Sequence, residues 1–189
     1  MAGFTKQAIE AAFLQLLAEK PLHEISVTSI AERCGISRKS FYYYYQDIPA
    51  LLEEIFVTRA DAFIARSGAF SSLEECLSAA IEMLLSDKQL VMHVYRSVNR
   101  DIFDRSLLRI CDYGVRSYIE ANPLAAQIPA EDRRLIIGLY RGECFGLISE
   151  WMLRGMQEDI LPQFHRICQL RQGMVEELLR RAVSTPSES

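Results

Sequence analysis

SVTSIAERCGISRKSFYYYY, Ser26 to Tyr45, is the stretch whose reading decides the fold. It reads as two short helices joined by a glycine turn. Ser26 suits an N-cap, because a serine oxygen accepts from the free amides of a first helical turn. Ile30 and Ala31 give the helix that follows an apolar side. Cys34-Gly35-Ile36 interrupts it, since Gly35 can take the positive φ that a helix end often requires. Ser37 caps a second helix, in which Phe41 and Tyr45 fall on one face and belong to the core. Two helices about a tight turn let one lie in a DNA major groove while the other braces it. Arg38 and Lys39 follow the second cap directly, and Ser40, Tyr42, Tyr43 and Tyr44 come after them. Arginine grips guanine O6 and N7 with two parallel bonds; lysine does so less rigidly or takes a phosphate. Tyrosine hydroxyls hold phosphates and fix register without reading sequence. Ser26, Thr28 and Ser29 lie among free N-terminal amides suited to another phosphate. The DNA-contacting set read from the sequence is therefore Ser26, Thr28, Ser29, Ser37, Arg38, Lys39, Ser40, Tyr42, Tyr43 and Tyr44.

Outward from this stretch the pattern stays helical. Upstream, Ile9, Phe13, Leu16 and Leu17 mark an amphipathic helix. Downstream, Ile48, Leu52, Ile55, Phe56 and Phe63 line a helix expected to end near Gly68, and Ser71-Ser72 starts another. A shorter helix is predicted over 88–98, and one from about Phe103 is stopped by Asn122-Pro123. Two long helices, about 130–156 and 160–183, close the chain, with Pro162 suited to a first helical turn. The expected fold is all-α. An N-terminal three-helix, helix-turn-helix DNA-binding domain spans 1–47, a second helical domain spans 48–183, and residues 184–189 form a polar tail expected to be disordered.

Bulk properties narrow the choices. The 189 residues suffice for one sizeable core or two small domains, and half of them are hydrophobic, which excludes a disordered chain. The net charge of −4 does not advertise nucleic-acid binding. Up to Ile48 the cations Lys6, Lys20, Arg33, Arg38 and Lys39 balance Glu10, Glu19, Glu24, Glu32 and Asp47. Any electrostatic footprint on DNA must then come from local placement. No apolar run is long enough to span a membrane, and the start of the chain lacks a signal peptide's charged segment and cleavage site. Cys34, Cys76, Cys111, Cys144 and Cys168 are scattered and odd in number, as expected for reduced thiols of a cytoplasmic protein.

Gly138, Gly142 and Gly146 recur every four residues on one face of the first long helix. A glycine inside a helix costs about 1 kcal/mol relative to alanine, so a close helix contact should offset the three. That contact is either another helix of the same chain or a second subunit.

The residues from Ile9 through Ile30-Ala31, Gly35-Ile36-Ser37 and Phe41, Tyr42 and Tyr45 to Leu51-Leu52 resemble the DNA-binding domain of TetR-family transcriptional regulators. The tail, with Trp151, Gly155-Met156 and Glu158, is similar to a subgroup related to dihydroxyacetone-kinase operon regulators. The resemblance implies a homodimer on a near-palindromic double-stranded DNA operator, usually as a repressor. It places the dimer contact on the last two long helices, here Gly138, Gly142, Gly146, Phe164, Ile167, Val175 and Leu178. It also implies a small-molecule effector cavity in the second domain, for which His93, Tyr95, Arg96, Cys111, Tyr118, Tyr140, Cys144 and Trp151 are the facing candidates. Two positions depart from the family. Ile48 stands where a phosphate-gripping lysine is usual, and the N-terminal arm carries Lys6 as its single cation. Both changes remove phosphate contacts.

No catalytic signature accompanies these residues. His23, His93 and His165 show no metal-ligand spacing, and no nucleophile, base or paired carboxylates converge, so neither an enzyme nor a cofactor is expected. The alternatives are a co-regulator worked by a protein partner without a small ligand, and a thiol-based redox sensor with Cys34 beside the turn.

Overall fold

The computed structural model describes residues 2–67 and 72–184. Among the described residues it holds ten α-helices, two short 3-10 turns and no strand. The helices are α1 (Ala2–Glu19), α2 (Val27–Cys34), α3 (Arg38–Tyr44), α4 (Ile48–Ser67), α5 (Leu73–Ser86), α6 (Lys88–Tyr95), α7 (Arg100–Glu120), α8 (Ala130–Leu153), α9 (Leu161–Leu170) and α10 (Met174–Ser184). The 3-10 turns are Leu22–Glu24 and Pro123–Ala126. The fold is all-α, as the periodicity predicts. The expected helix end near Gly68, the start at Ser71 and the tail after Ser184 lie outside the described residues; Ser184 itself closes α10.

The chain divides into two compact units, Met1–Ala62 with Ser86–Ser106, and Phe63–Leu85 with Leu107–Ser189. In the first, α1 packs on α2 and α6, and α2 packs on α3. Ile9, Phe13, Leu17, Ile30, Phe41, Leu51 and Leu52 are fully buried there. Each such side chain contributes roughly 1.5–3 kcal/mol of transfer free energy, so apolar faces hold the module together. Polar ties fix its geometry. Leu17 carbonyl lies one turn before Pro21, which has no N–H to offer it. His93 Nδ1 lies 2.6 Å from that carbonyl. A carbonyl only accepts, so Nδ1 carries the proton and caps the end of α1. Arg33 grips Glu19 through two bonds of 2.8 Å, and Tyr45 Oη donates to Glu10 at 2.8 Å. Phe56 and Tyr95 meet the Phe103 ring edge-on at 5.7 and 5.9 Å.

In the second unit Ala80, Ile81, Cys111, Val115, Ile119, Ile148 and Met152 form the buried centre, and α10 packs on the Pro123–Ala126 turn. A Cβ built on Gly114 would lie 1.9 Å from Cys76 Sγ, so α7 and α5 approach closely at that glycine.

Three element boundaries differ from the sequence reading. The single helix expected over 160–183 is two helices, broken at 171–173, because Gly173 takes φ 82° and an α-helix cannot continue through that conformation. α8 stops at Leu153, since Gly155 and Met156 adopt φ 77° and 54°. The helix expected over 88–98 ends at Tyr95. Ser97 Oγ donates to Val94 carbonyl at 2.7 Å and accepts from Asn99 amide at 3.1 Å, turning the chain there.

Candidate nucleic-acid interface and ligand cavity

The turn between α2 and α3 is built by local chemistry. Gly35 sits at φ 69°, and Ile36 amide reaches back to Ala31 carbonyl at 2.9 Å, closing the end of α2. Ser26 and Ser29 cap the start of α2 reciprocally. Ser29 amide donates to Ser26 Oγ at 3.1 Å, and Ser26 amide donates to Ser29 Oγ at 3.1 Å. The Ser29 hydroxyl also donates to Ser26 carbonyl at 2.8 Å, so it is occupied within the chain, whereas Thr28 is exposed. Ser37 Oγ accepts from Ser40 amide at 3.1 Å and lies 3.0 Å from Ser40 Oγ. The reciprocal cap was not read from the sequence, although its two serines are spaced for it.

α3 sorts its side chains as the spacing predicts. Phe41 and Tyr45 are buried. Arg38 and Lys39 are exposed and form no ion pair with any described residue. Tyr42 is 49% exposed and Tyr43 80%, while Tyr44 is half-buried with its ring edge-on to Tyr43 at 5.0 Å. None of these three hydroxyls bonds to a described residue, whereas the Tyr45 hydroxyl is bonded to Glu10. The other cations of the module divide. Lys6 pairs with Glu54, and Arg33 with Glu19, whose carboxyl the hydrogen bonds from Arg33 hold below its ordinary range. Lys20 pairs with no described carboxylate either, so the module's unpaired cations are Lys20 and, side by side at the start of α3, Arg38 and Lys39. Ile48, at the position that departs from the family, is half-buried and opens α4, and Asp47 Oδ1 accepts from Ala50 amide at 2.8 Å to cap that helix. The Gln46-Asp47-Ile48-Pro49 segment thus starts a helix.

The second unit contains a cavity of about 400 Å³. Of the eight effector candidates, Tyr118, Tyr140 and Cys144 line it. Trp151 lines a separate cleft of about 60 Å³ and donates through Nε1 to Glu158 carbonyl at 2.9 Å. Cys111 is buried and does not line the cavity. His93, Tyr95 and Arg96 belong to the first unit. There His93 caps α1, Tyr95 is buried beneath Arg100 at 4.1 Å, and Arg96 is exposed. Phe164 and Val175, assigned to the dimer contact, are buried within the chain and line this cavity. Glu74, Glu143, Arg171 and Glu176 also line it, and nothing in their spacing distinguishes them from a solvated face. Tyr118 Oη donates to Glu176 at 3.2 Å, Arg171 pairs with Glu143, and Glu74 bonds His165.

All five thiols sit where burial disfavours the thiolate. Burial pushes Cys76 and Cys111 up to about 12, with Cys144 and Cys34 also raised. The Cys34 thiol donates to Ile30 carbonyl at 3.1 Å. Redox chemistry proceeds through the thiolate, and these environments disfavour it.

Along α8, a Cβ added at Gly138, Gly142 or Gly146 would meet no atom within 4 Å. Among the described residues no atom of the chain covers the glycine stripe at that distance, so the stripe is open. Leu135, Leu139 and Leu153 are 60%, 62% and 67% exposed on the same helix, and Leu170 and Met174 are exposed on α9 and α10. Ile167 and Leu178 are half-buried.

Residues 8–55 match the family model described as bacterial regulatory proteins, tetR family. Residues 71–173, more than half of the chain, match the model described as the transcriptional regulator C-terminal region of TetR proteins. The chain belongs to the TetR family of transcriptional regulators. As a TetR-family protein it is a DNA-binding regulator of transcription that uses the helix-turn-helix of α2 and α3. No curated protein sequence matches it. Among solved structures, the dihydroxyacetone kinase operon activator DhaS is similar at TM-score 0.70 and 19% identity, over 92% of this chain and 97% of DhaS. NalD, the secondary repressor of the MexAB-OprM multidrug efflux pump in Pseudomonas aeruginosa, gives TM-score 0.61 at 16% identity, over 95% of this chain and 97% of NalD. FadR from Bacillus subtilis, solved in complex with stearoyl-CoA, gives 0.57 at 19% identity, over 94% and 97% of the two chains. At these identities the likeness establishes a shared TetR fold.

Proposed function

We propose that this regulator acts in the cytoplasm as a homodimeric, ligand-responsive repressor on a near-palindromic operator. The observation that carries the reading is α3: Arg38 and Lys39 unpaired and exposed beside Tyr42 and Tyr43, on a helix whose other face is locked into the core. Arg38 reads guanine, Lys39 reads a base or holds a phosphate, and the tyrosine hydroxyls set the register. Ser37, Ser40, Tyr44, Thr28 and the capped start of α2 support the backbone contact. The dimer forms on α8, where the open glycines and exposed leucines offer a face that a second copy can approach closely. The effector occupies the cavity of the second unit, whose volume falls in the range of small-molecule sites. A ligand that prefers one dimer geometry then shifts the spacing of the two α3 helices.

The alternative, a co-regulator worked by a protein partner, is motivated by the likeness to DhaS, an operon activator. Footprinting on the DNA upstream of the chain's own gene separates the two. The proposal expects two protected half-sites about one helical turn, roughly 34–36 Å, or a small multiple apart. Absence of protection by the purified protein, with protection appearing once a protein partner is added, favours the alternative.

A further inference from the structure

Resting on the reading of the second-unit cavity as the effector site, we propose that its ligand is an organic cation: an amine or quaternary ammonium head on an apolar or aromatic body. The cavity is lined by three carboxylates, Glu74, Glu143 and Glu176, and by a single guanidinium, Arg171. That guanidinium is already engaged twice, by Glu143 and by the Tyr140 ring, whose centre it overlies at 4.8 Å. An anionic ligand would have to displace Glu143 from Arg171 and then sit near the remaining carboxylates. Glu176 is in the opposite position. It is half-buried, its Oε1 accepts from the Tyr118 hydroxyl at 3.2 Å, and no cation pairs with it among the described residues. A neutral hydroxyl leaves its charge uncompensated. A carboxylate held away from bulk water attracts a cation more strongly than an exposed one does. The Tyr140 ring already holds the Arg171 guanidinium, so it is the Glu176 carboxylate that carries the preference for a cation. Apolar side chains, Leu77, Leu147 and Phe164 among them, provide room for the body.

The test uses three probes with one body and three heads: 4-phenylbutylamine, 4-phenylbutan-1-ol and 4-phenylbutanoate. Each is titrated calorimetrically into the full chain at neutral pH. The amine should bind about tenfold tighter than the alcohol or better, from a charge-assisted hydrogen bond, and the carboxylate should bind weakest. Glu176→Gln, which keeps an acceptor for Tyr118, should weaken the amine about tenfold and leave the alcohol unchanged. Glu143→Gln, which releases Arg171, should strengthen the carboxylate probe. Equal binding of the three probes, or tightest binding of the carboxylate to the wild type, overturns the cation assignment and leaves the effector site standing. Absence of binding by all three at millimolar concentration overturns the effector-site reading itself.

Discussion

Adding one carbon atom distinguishes Gly114 of α7 from the three glycines of α8. At Gly114 the new methyl would overlap Cys76 Sγ, with Cys76 Cβ only 3.2 Å away as well, so the Cys76 side chain would have to turn aside or the helices shift. Gly114→Ala is expected to destabilise the protein by about 1–3 kcal/mol, read as a lower urea midpoint at unchanged slope. A midpoint equal to wild type would mean that α5 and α7 are not in close contact there. At Gly138, Gly142 and Gly146 the same methyl meets nothing. The sequence displays the second group through its spacing and is silent about the first. Gly114 owes its role to Cys76, a residue 38 positions earlier, and no local pattern records that partnership. The same distinction runs through the candidate sites. Arg38, Lys39 and Tyr42 are legible because a cap and a helical period place them. Glu176 and Arg171 become recognisable only when Tyr118 and Tyr140 are brought beside them.

Some helix starts and stops are legible from a single residue: Ser26 and Ser37 as caps, Gly35 as a left-handed terminator, Asn122-Pro123 as a block; the stops at Gly155 and Gly173 are not. The break between α9 and α10 was hidden because Phe164, Ile167, Val175 and Leu178 keep a helical rhythm across it. Hydrophobic rhythm reports which face is apolar, and two helices in phase share it with one continuous helix. On α8, the open stripe gives a sharper test of the dimer than a buried glycine would. Gly142→Leu adds a side chain whose first carbon has free space around it within the chain, so its own helix should tolerate it. Helix content by circular dichroism should match wild type, while sedimentation should move from dimer toward monomer. A folded variant that remains a dimer of unchanged affinity would place the interface away from this face of α8.

For the molecule as a whole, charge is the quantity that decides how DNA is held. The chain carries a net charge of −4, and Lys6 and Arg33 are tied to carboxylates of their own module. Few phosphates are then neutralised per subunit, and the dependence of affinity on salt should be shallower than for a strongly basic domain, where each neutralised phosphate adds about 0.9 to the slope. On the proposed reading, sequence-specific contact comes from α3. The most direct test is a binding titration of wild type, Arg38→Ala and Tyr42→Phe against the chain's own upstream duplex and a scrambled duplex of equal length. Wild type should prefer its own duplex. Arg38→Ala should lose about 1–3 kcal/mol on that duplex and relax the preference at one position in each half-site. Tyr42→Phe should weaken both duplexes alike, because a phosphate contact carries no base information. Equal affinity of wild type for the two duplexes, with both variants indistinguishable from it, would contradict recognition of DNA through α3.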